Sequence, residues 1–212
     1  MRIRVLLADD HPLILEGLRT LLEKTCEVVG AVSDGRSLVE AALRLKPEVI
    51  VLDISLPGLN GIEAARQLRK ELPETKMLFL TMHANPAYLK EALAAGASGY
   101  VLKTSAREEL PDAIQEAIRN RLHVTAGFGE EIVDQFERRP RSFTASQPVL
   151  TARQREILQL VAEGRTAKEI AGILNVSVQT VAFHKYQIMN KLGLRTTAEL
   201  TKYAIQQGLL VP

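Results

Sequence analysis

In the stretch Val49-Ile50-Val51-Leu52-Asp53, four apolar residues lead directly into a carboxylate. An uninterrupted apolar run of this kind predicts a strand that is buried on both faces, as the strands of a parallel sheet are. Ligands of open parallel sheets bind beyond the carboxyl ends of the strands, so Asp53 should point into an accessible pocket. A Pro57-Gly58 turn follows, and Asn60 with Glu63 then predicts a capped helix start.

Polar side chains also follow three other apolar runs, namely Asp9 with Asp10, then Thr81, then Lys103. If the first and third strands are neighbours, three carboxylates meet and must either bind a cation or shift their pKa values. Oxygen ligands suit Mg2+, while Lys103 and the Thr81 hydroxyl would hold an anion beside the metal. This combination fits the formation of an aspartyl phosphate on a carboxylate nucleophile.

Strand and helix patterns alternate five times between residues 3 and 118. The alternation predicts an α/β fold, a doubly wound, flavodoxin-like parallel sheet of five strands in the order 2-1-3-4-5. The first and third strands are adjacent in this order, as the acidic pocket requires. The single cysteine, Cys26, is predicted in or beside a strand, and Ser105 with Glu108 predicts a capping box for the fifth helix.

The last third of the chain has the pattern of a small all-α domain. Thr166 with Glu169 caps one helix, a tight turn follows at residues 175–177, and a longer helix runs to about Leu192, which predicts a helix-turn-helix. A further helix is predicted to end at Gly208. The apolar stripe of the longer helix consists of Val181, Ile188 and Leu192, and the residues left facing outward are Gln179, Ala182, Phe183, Tyr186 and Asn190.

A length of 212 residues with 46% apolar content favours two domains. We expect one domain at residues 1–125, a partly flexible linker with a short helix at 126–148, and a second domain at 149–212. Residues 151–212 carry eight Lys and Arg against four Asp and Glu, which favours a nucleic-acid face, although a solvated surface also explains this charge. Without a signal peptide or an apolar run of about 18 residues, we expect a cytoplasmic protein with no membrane segment.

The series Asp9-Asp10, Asp53, Thr81, Tyr100 and Lys103 resembles the receiver domain of two-component response regulators, and the C-terminal segment resembles the LuxR-type helix-turn-helix of the NarL/FixJ class. The resemblance implies that Asp53 is the phosphoacceptor for a sensor histidine kinase. It implies that Mg2+ is held by Asp9, Asp10, Asp53 and the backbone carbonyl of Ser55. Thr81 and Tyr100 are by resemblance the switch pair, with Lys103 on the phosphoryl group. The chain departs from many receivers in having Thr104 after Lys103, where those have proline.

By the same resemblance, Ala182, Phe183 and Tyr186 occupy positions where the LuxR-type domain reads bases. None of the three is basic, so we expect apolar contact with thymine methyl groups, together with hydrogen bonds from Gln179 or Tyr186. An alternative is that Phe183 and Tyr186 contact protein. The residues expected to hold phosphates are Lys168, Thr180, Lys185, Lys191 and Arg195.

The sequence therefore predicts a transcriptional regulator whose binding to promoter DNA is switched by phosphorylation of Asp53. We expect a homodimer in the phosphorylated or DNA-bound form, RNA polymerase as a candidate partner, and no enzymatic activity beyond its own phosphotransfer and dephosphorylation. His11 and His83 receive no catalytic role. One alternative is a protein-interaction module or phosphate sink that does not read DNA specifically, and another is a constitutive DNA binder with a silent receiver.

Overall fold

The computed structural model describes residues 2–138, 150–207 and 209. The chain forms two compact units, Met1–Ala145 and Ser146–Pro212, each with its own apolar core. The boundaries expected at residues 125 and 149 remain predictions. The flexible part of the expected linker, from Arg139 to Pro148, lies outside the described residues.

The first unit contains a parallel sheet with the strand order β2-β1-β3-β4-β5-β6. Its strands are β1 (Ile3–Ala8), β2 (Cys26–Val32), β3 (Val49–Leu52), β4 (Lys76–Thr81), β5 (Gly99–Leu102) and β6 (His123–Val124). The order of the first five strands is confirmed, but the expected number of five is wrong. The sixth strand has only two residues, which is too short to produce the alternating pattern that identifies a strand in a sequence.

Helices cover both faces of this sheet: α1 (Pro12–Leu22), α2 (Gly35–Leu45), α3 (Gly61–Glu71), α4 (Pro86–Ala94), α5 (Ala106–Ile118) and α6 (Glu130–Arg138). Helices α1 and α5 pack against alternate residues of the strands, such as Leu7, Val51 and Leu80. The strand residues that alternate with these, such as Leu6 and Leu52, point to the opposite face of the sheet and are equally buried there. Burial on both faces of the sheet explains why the sequence of these strands is apolar throughout.

Of the capping predictions for Asn60 and Ser105, the structure confirms one and contradicts the other. The predicted N-cap at Asn60 is confirmed, because its Oδ1 accepts a hydrogen bond from the Glu63 N–H at 2.9 Å. The predicted capping box at Ser105 is wrong: Lys103–Ser105 forms a single 3-10 turn, and the Ser105 side chain makes no hydrogen bond to the helix start. Cys26 is buried at the start of β2, as expected.

Within its described residues, 150–207 and 209, the second unit contains four helices, namely α7 (Ala152–Ala162), α8 (Ala167–Leu174), α9 (Val178–Leu192) and α10 (Thr197–Gln206). Capping boxes at Thr151, Thr166 and Thr196 define three of the helix starts. Asn175 adopts a left-handed conformation with φ of 51° between α8 and α9, so the chain turns sharply there and the predicted helix-turn-helix is confirmed. The predicted end of α10 at Gly208 lies outside the described residues.

Across the described ranges, no helix combines the length and apolar character that crossing a bilayer requires.

Gly61 provides a test of the packing between α3 and the strand end. A Cβ added at Gly61 would lie 2.0 Å from the backbone oxygen of Asp53, so we expect Gly61→Ala to lower the free energy of unfolding by roughly 1–3 kcal/mol. The matched control is Gly17→Ala in α1, where an added Cβ has no neighbour within 4 Å. This control should be neutral or stabilise by about 0.5–1 kcal/mol. Urea unfolding followed by circular dichroism measures both, and equal effects would contradict the packing argument.

Candidate functional site

The ends of four strands bring polar side chains to one edge of the sheet. The pairing of Ala8 with Leu52 aligns β1 and β3, and the Asp53 N–H donates to the Ala8 carbonyl at 2.9 Å. Asp9 and Asp53 therefore lie side by side, with exposed fractions of only 1% and 4%. The pairing of Thr81 with Leu102 brings the ends of β4 and β5 to the same edge.

Lys103 joins the two buried carboxylates. Its Nζ lies 2.7 Å from Asp9 Oδ2 and 2.8 Å from Asp53 Oδ2. Burial alone would lower the pKa of Lys103, but its hydrogen bonds to Asp53 and Asp9 and their negative charges outweigh burial and raise the pKa. Lys103 is therefore charged near neutral pH. The second oxygen of Asp53, Oδ1, is buried without a hydrogen-bond partner and is free to bind a ligand.

A second acidic group lies beside this pair. One ligand atom each from Asp9, Asp10 and His11 lies within 4.8 Å of the others. His11 Nδ1 is 3.2 Å from Asp9 Oδ1 and 2.7 Å from Asp10 Oδ1. Asp9, Asp10 and Asp53 each have a buried oxygen without a hydrogen-bond partner, and only the one on Asp53 also has no ion pair. These three carboxylates form a donor set that fits a divalent cation with a preference for oxygen. Binding of the metal by the backbone carbonyl of Ser55 stays a prediction.

Thr81 and Tyr100 both contact the backbone of His83, in the loop after β4. Thr81 Oγ1 accepts a hydrogen bond from the His83 N–H at 3.2 Å, and the Tyr100 hydroxyl donates to the His83 carbonyl at 2.7 Å. The ring of Tyr100 is fully buried, and burial, followed by the charges of Tyr88 and Asp53, raises its pKa. The two residues of the expected switch pair are therefore linked through a single loop residue.

The sequence assigned no catalytic role to His11 or His83, and the structure places both at the site. His11 directly follows two carboxylates, and this adjacency was the available signal. His83 contacts Thr81 and Tyr100 through its backbone atoms, which no pattern of side chains reveals.

In the second unit, α9 presents the two faces that the sequence predicted. Val181 and Ile188 are buried, whereas Phe183 and Tyr186 have exposed fractions of 59% and 63%. The other residues predicted to face outward are also exposed, namely Gln179, Ala182 and Asn190. Exposed aromatic rings on one helix face are typical of a surface that binds a partner, and their expected contacts with bases stay predictions.

The residues expected to hold phosphates are distributed around this face. Lys185 Nζ donates to Thr197 Oγ1 at 2.9 Å, and Lys191 Nζ donates to Gln154 Oε1 at 3.2 Å. Lys168 and Arg195 are exposed, and the Thr180 N–H donates to the N-cap residue Ser177. The helix therefore carries positive charge at positions flanking its exposed aromatic residues.

Comparison with known families gives two matches within the chain. Residues 5–115 match the model described as "Response regulator receiver domain". Residues 148–204 match the model described as "Bacterial regulatory proteins, luxR family". These two ranges contain all the residues of the acidic pocket and of the helix-turn-helix.

Relatives along the full chain are regulators. The transcriptional regulatory protein MctR of Rhizobium johnstonii is 35% identical over 211 residues, which is 99% of this chain and 96% of that protein. The oxygen regulatory protein NreC of Staphylococcus aureus is 37% identical, covering 98% of this chain and 99% of that protein. Among solved structures, the RcsB response regulator of Salmonella typhimurium has a TM-score of 0.63 at 29% identity and covers 97% and 98% of the two chains. An RcsB–DNA complex has a TM-score of 0.59 at 30% identity and covers 98% and 99%.

Removal of the charge on Lys103 tests the electrostatics of the pocket. Without divalent cations, we expect Lys103→Met to lower the free energy of unfolding by roughly 3–5 kcal/mol, because Asp9 and Asp53 lose their compensating charge. The exposed Lys24→Met is the matched control and should have little effect. Denaturant unfolding of wild type and both variants at several pH values measures these differences.

The same comparison has a defined pH dependence. The pKa of Lys103 is raised on folding, so its stabilising contribution is complete below the unfolded-state pKa of about 10.4 and is lost only as pH rises through the higher folded value. The difference between wild type and Lys103→Met should therefore be constant from about pH 7 to 9 and decline above about pH 10.4. A loss that is complete by pH 9 would contradict the raised pKa.

Proposed function

Because the chain belongs to the NarL/FixJ class of two-component response regulators, in which a receiver domain is joined to a LuxR-type DNA-binding domain, we propose that phosphorylation of Asp53 switches its binding to promoter DNA. The protein is a DNA-binding transcriptional response regulator. The receiver implies a sensor histidine kinase as the donor of the phosphoryl group.

The unpaired Oδ1 of Asp53 is the single observation that carries the proposal. It is buried, it accepts no hydrogen bond, and the other oxygen of the same carboxylate is held by Lys103. In the transfer, Oδ1 attacks the phosphorus of a phosphohistidine, a new O–P bond forms, and the N–P bond to the imidazole of the kinase breaks. The charged Lys103 then has an anionic phosphoryl group beside it and holds its oxygens.

Asp9, Asp10 and Asp53, together with the backbone carbonyl of Ser55, would hold Mg2+ at this site. When bound, the metal neutralises charge on the incoming phosphoryl oxygens. Lys103 would share this task through its contact with Asp53. His11 contributes a ring nitrogen next to Asp9 and Asp10.

The response begins at Thr81. Its hydroxyl turns toward the phosphoryl oxygens, and the hydrogen bond that it accepts from the His83 N–H is released. The loop after β4 then loses a contact at the residue whose carbonyl accepts from Tyr100. The space that Thr81 vacates favours the buried position that the Tyr100 ring has in the structure, so a change of charge at Asp53 alters the surface formed by α4 and β5.

The exposed face of α9 supports recognition of a DNA major groove. Ala182 and Phe183 contact thymine methyl groups, and Gln179 or Tyr186 forms hydrogen bonds with base edges. Phosphates are held by Lys168, Thr180, Lys185, Lys191 and Arg195. Solved structures of RcsB include dimers bound to DNA, which supports a homodimer on paired half-sites. RNA polymerase is then a candidate partner at the promoter, and the cytoplasm is the compartment where these partners meet.

Selection of genomic DNA fragments by the full chain, with and without acetyl phosphate and Mg2+, tests this proposal. We expect enrichment of a palindromic site with the donor and an operator affinity that rises by about 5- to 150-fold. Asp53→Asn should abolish this rise because it removes the nucleophilic oxygen, whereas the exposed Asp112→Asn, a matched control in α5, should retain it.

Two outcomes of the selection would contradict the proposal. Equal enrichment with and without donor would separate DNA binding from phosphorylation and support a constitutive binder. Absence of a selected sequence in both states, with salt-dependent binding to all fragments, would support a receiver-based interaction module, because nonspecific affinity depends on phosphate contacts alone.

Substitutions on the second unit separate base contacts from phosphate contacts. We expect Phe183→Ala to reduce the discrimination between operator and random DNA by about 1–3 kcal/mol. Lys168→Ala should weaken binding to both DNAs equally and reduce the dependence of log affinity on log salt by about one. Fluorescence anisotropy at several salt concentrations measures both effects. Unchanged operator affinity of Phe183→Ala would instead indicate that this ring contacts protein.

A further inference from the structure

We propose that residues 123–138 form an output element that docks on Tyr100, and that Phe128 is the positioning residue through which the state of Tyr100 controls this docking. The inference rests on the switch described under the proposed function. It assigns a task to a segment that the sequence treated as the beginning of a linker.

The start of the segment is anchored to the sheet at Tyr100. Strand β6 pairs with β5 through Tyr100 and Val124, and the Thr125 N–H donates to the Tyr100 carbonyl at 3.0 Å. Thr125 Oγ1 accepts from the Leu102 N–H at 2.9 Å. The ring of His123 lies 3.1 Å from Glu109 and 2.8 Å from Glu116, so β6 is also held to α5. These contacts fix residues 123–125.

Beyond this anchor, Phe128 turns back onto the switch residue. The rings of Phe128 and Tyr100 stack, with centroids 5.6 Å apart and an interplanar angle of 27°. Gly127 and Gly129 flank Phe128 with φ of 75° and 70°, a left-handed conformation that glycine adopts readily. The chain can therefore reverse around Phe128, and the stack is the ring contact between the turn and the sheet.

Helix α6 begins directly after this turn and packs against α4. A Cβ added at Gly129 would lie 2.3 Å from Leu89 Cδ2, so the backbone of Gly129 lies directly against the Leu89 side chain of α4. Ile132 in α6 is 7% exposed. The helix therefore covers apolar surface of α4, the helix whose preceding loop holds both Thr81 and Tyr100 through His83.

Tyr100 is thus held at both ends. Its hydroxyl donates to His83 on the side of the phosphorylation site, and its ring stacks on Phe128 on the side of α6. A ring that leaves the buried position must break the stack. Phosphorylation, which favours the buried position of Tyr100, should therefore strengthen the docking of residues 126–138.

Docking also determines how much chain connects the two units. With α6 docked, the connection between Arg138 and Leu150 contains 11 residues, whereas release of residues 126–138 raises it to 24. A shorter connection raises the effective concentration of one DNA-binding domain near its dimer partner. The position of Tyr100 would in this way control operator affinity, because it determines whether the segment is docked and how long the connection is.

Hydrogen exchange of the full chain, with and without beryllofluoride and Mg2+, tests the proposal. We expect amides of residues 130–138 to become about threefold to tenfold better protected in the wild type, as the strength of an aromatic pair suggests. Phe128→Leu keeps an apolar side chain but lacks the ring, and it should lose most of this gain. Tyr100→Phe keeps the ring and lacks the hydroxyl, so it should retain the docked segment without the mimic. Leu43→Ala, at an exposed position of α2, is the control and should behave as the wild type.

A second readout separates positioning from folding. Phe128→Leu should keep the basal operator affinity and the circular dichroism spectrum, but its affinity gain with beryllofluoride should fall by about threefold to tenfold. Unchanged or reduced protection of residues 130–138 in the wild type would overturn the proposal, as would a full response in Phe128→Leu. Protection of the loop at residues 54–60 reports binding at Asp53. If that signal appears and α6 does not respond, only this inference fails; if it is absent, the proposed function fails as well.

Discussion

The contact of Lys103 with Asp9 and Asp53 is the interaction on which the first unit depends. Two carboxylates with exposed fractions below 5% would repel each other and could not stay ionised in this position without a cation. Lys103 supplies a positive charge at 2.7 and 2.8 Å from them. The site therefore places a positive charge directly beside the carboxylate that is proposed as the nucleophile.

The backbone of the sheet makes this contact possible. Parallel strands end at one edge, and the order with β1 beside β3 and β4 beside β5 brings groups together that lie up to 94 residues apart in the chain. The same edge carries the loop of His83, whose amide and carbonyl hold Thr81 and Tyr100. These contacts connect the strand end to a buried aromatic ring through a single residue, and the stack on Phe128 extends the chain of contacts to the turn before α6.

In the DNA-binding unit, the residues expected to bind a partner are exposed rather than buried. Its capped helices form a small apolar core, and the opposite face of α9 leaves Phe183 and Tyr186 to solvent. Burial of these rings needs a partner surface, and the flanking lysines favour one that is negatively charged. The unit thus carries its recognition chemistry in the exposed residues of one helix, whereas the receiver carries its chemistry in buried ones.

The sequence by itself determined the α/β alternation, the order of five strands, the helix-turn-helix and the strand-end positions of Asp9, Asp53, Thr81 and Lys103, because each of these leaves a local periodic or strand-end pattern. Tyr100 joined this group only through the family resemblance. Only the tertiary structure decided that β6 adds a sixth strand, that Phe128 stacks on Tyr100, and that His11 and His83 join the site. A two-residue strand has no periodicity, and a contact made through a backbone carbonyl depends on no side chain. Such features exist only after distant segments have packed, so no local pattern can record them.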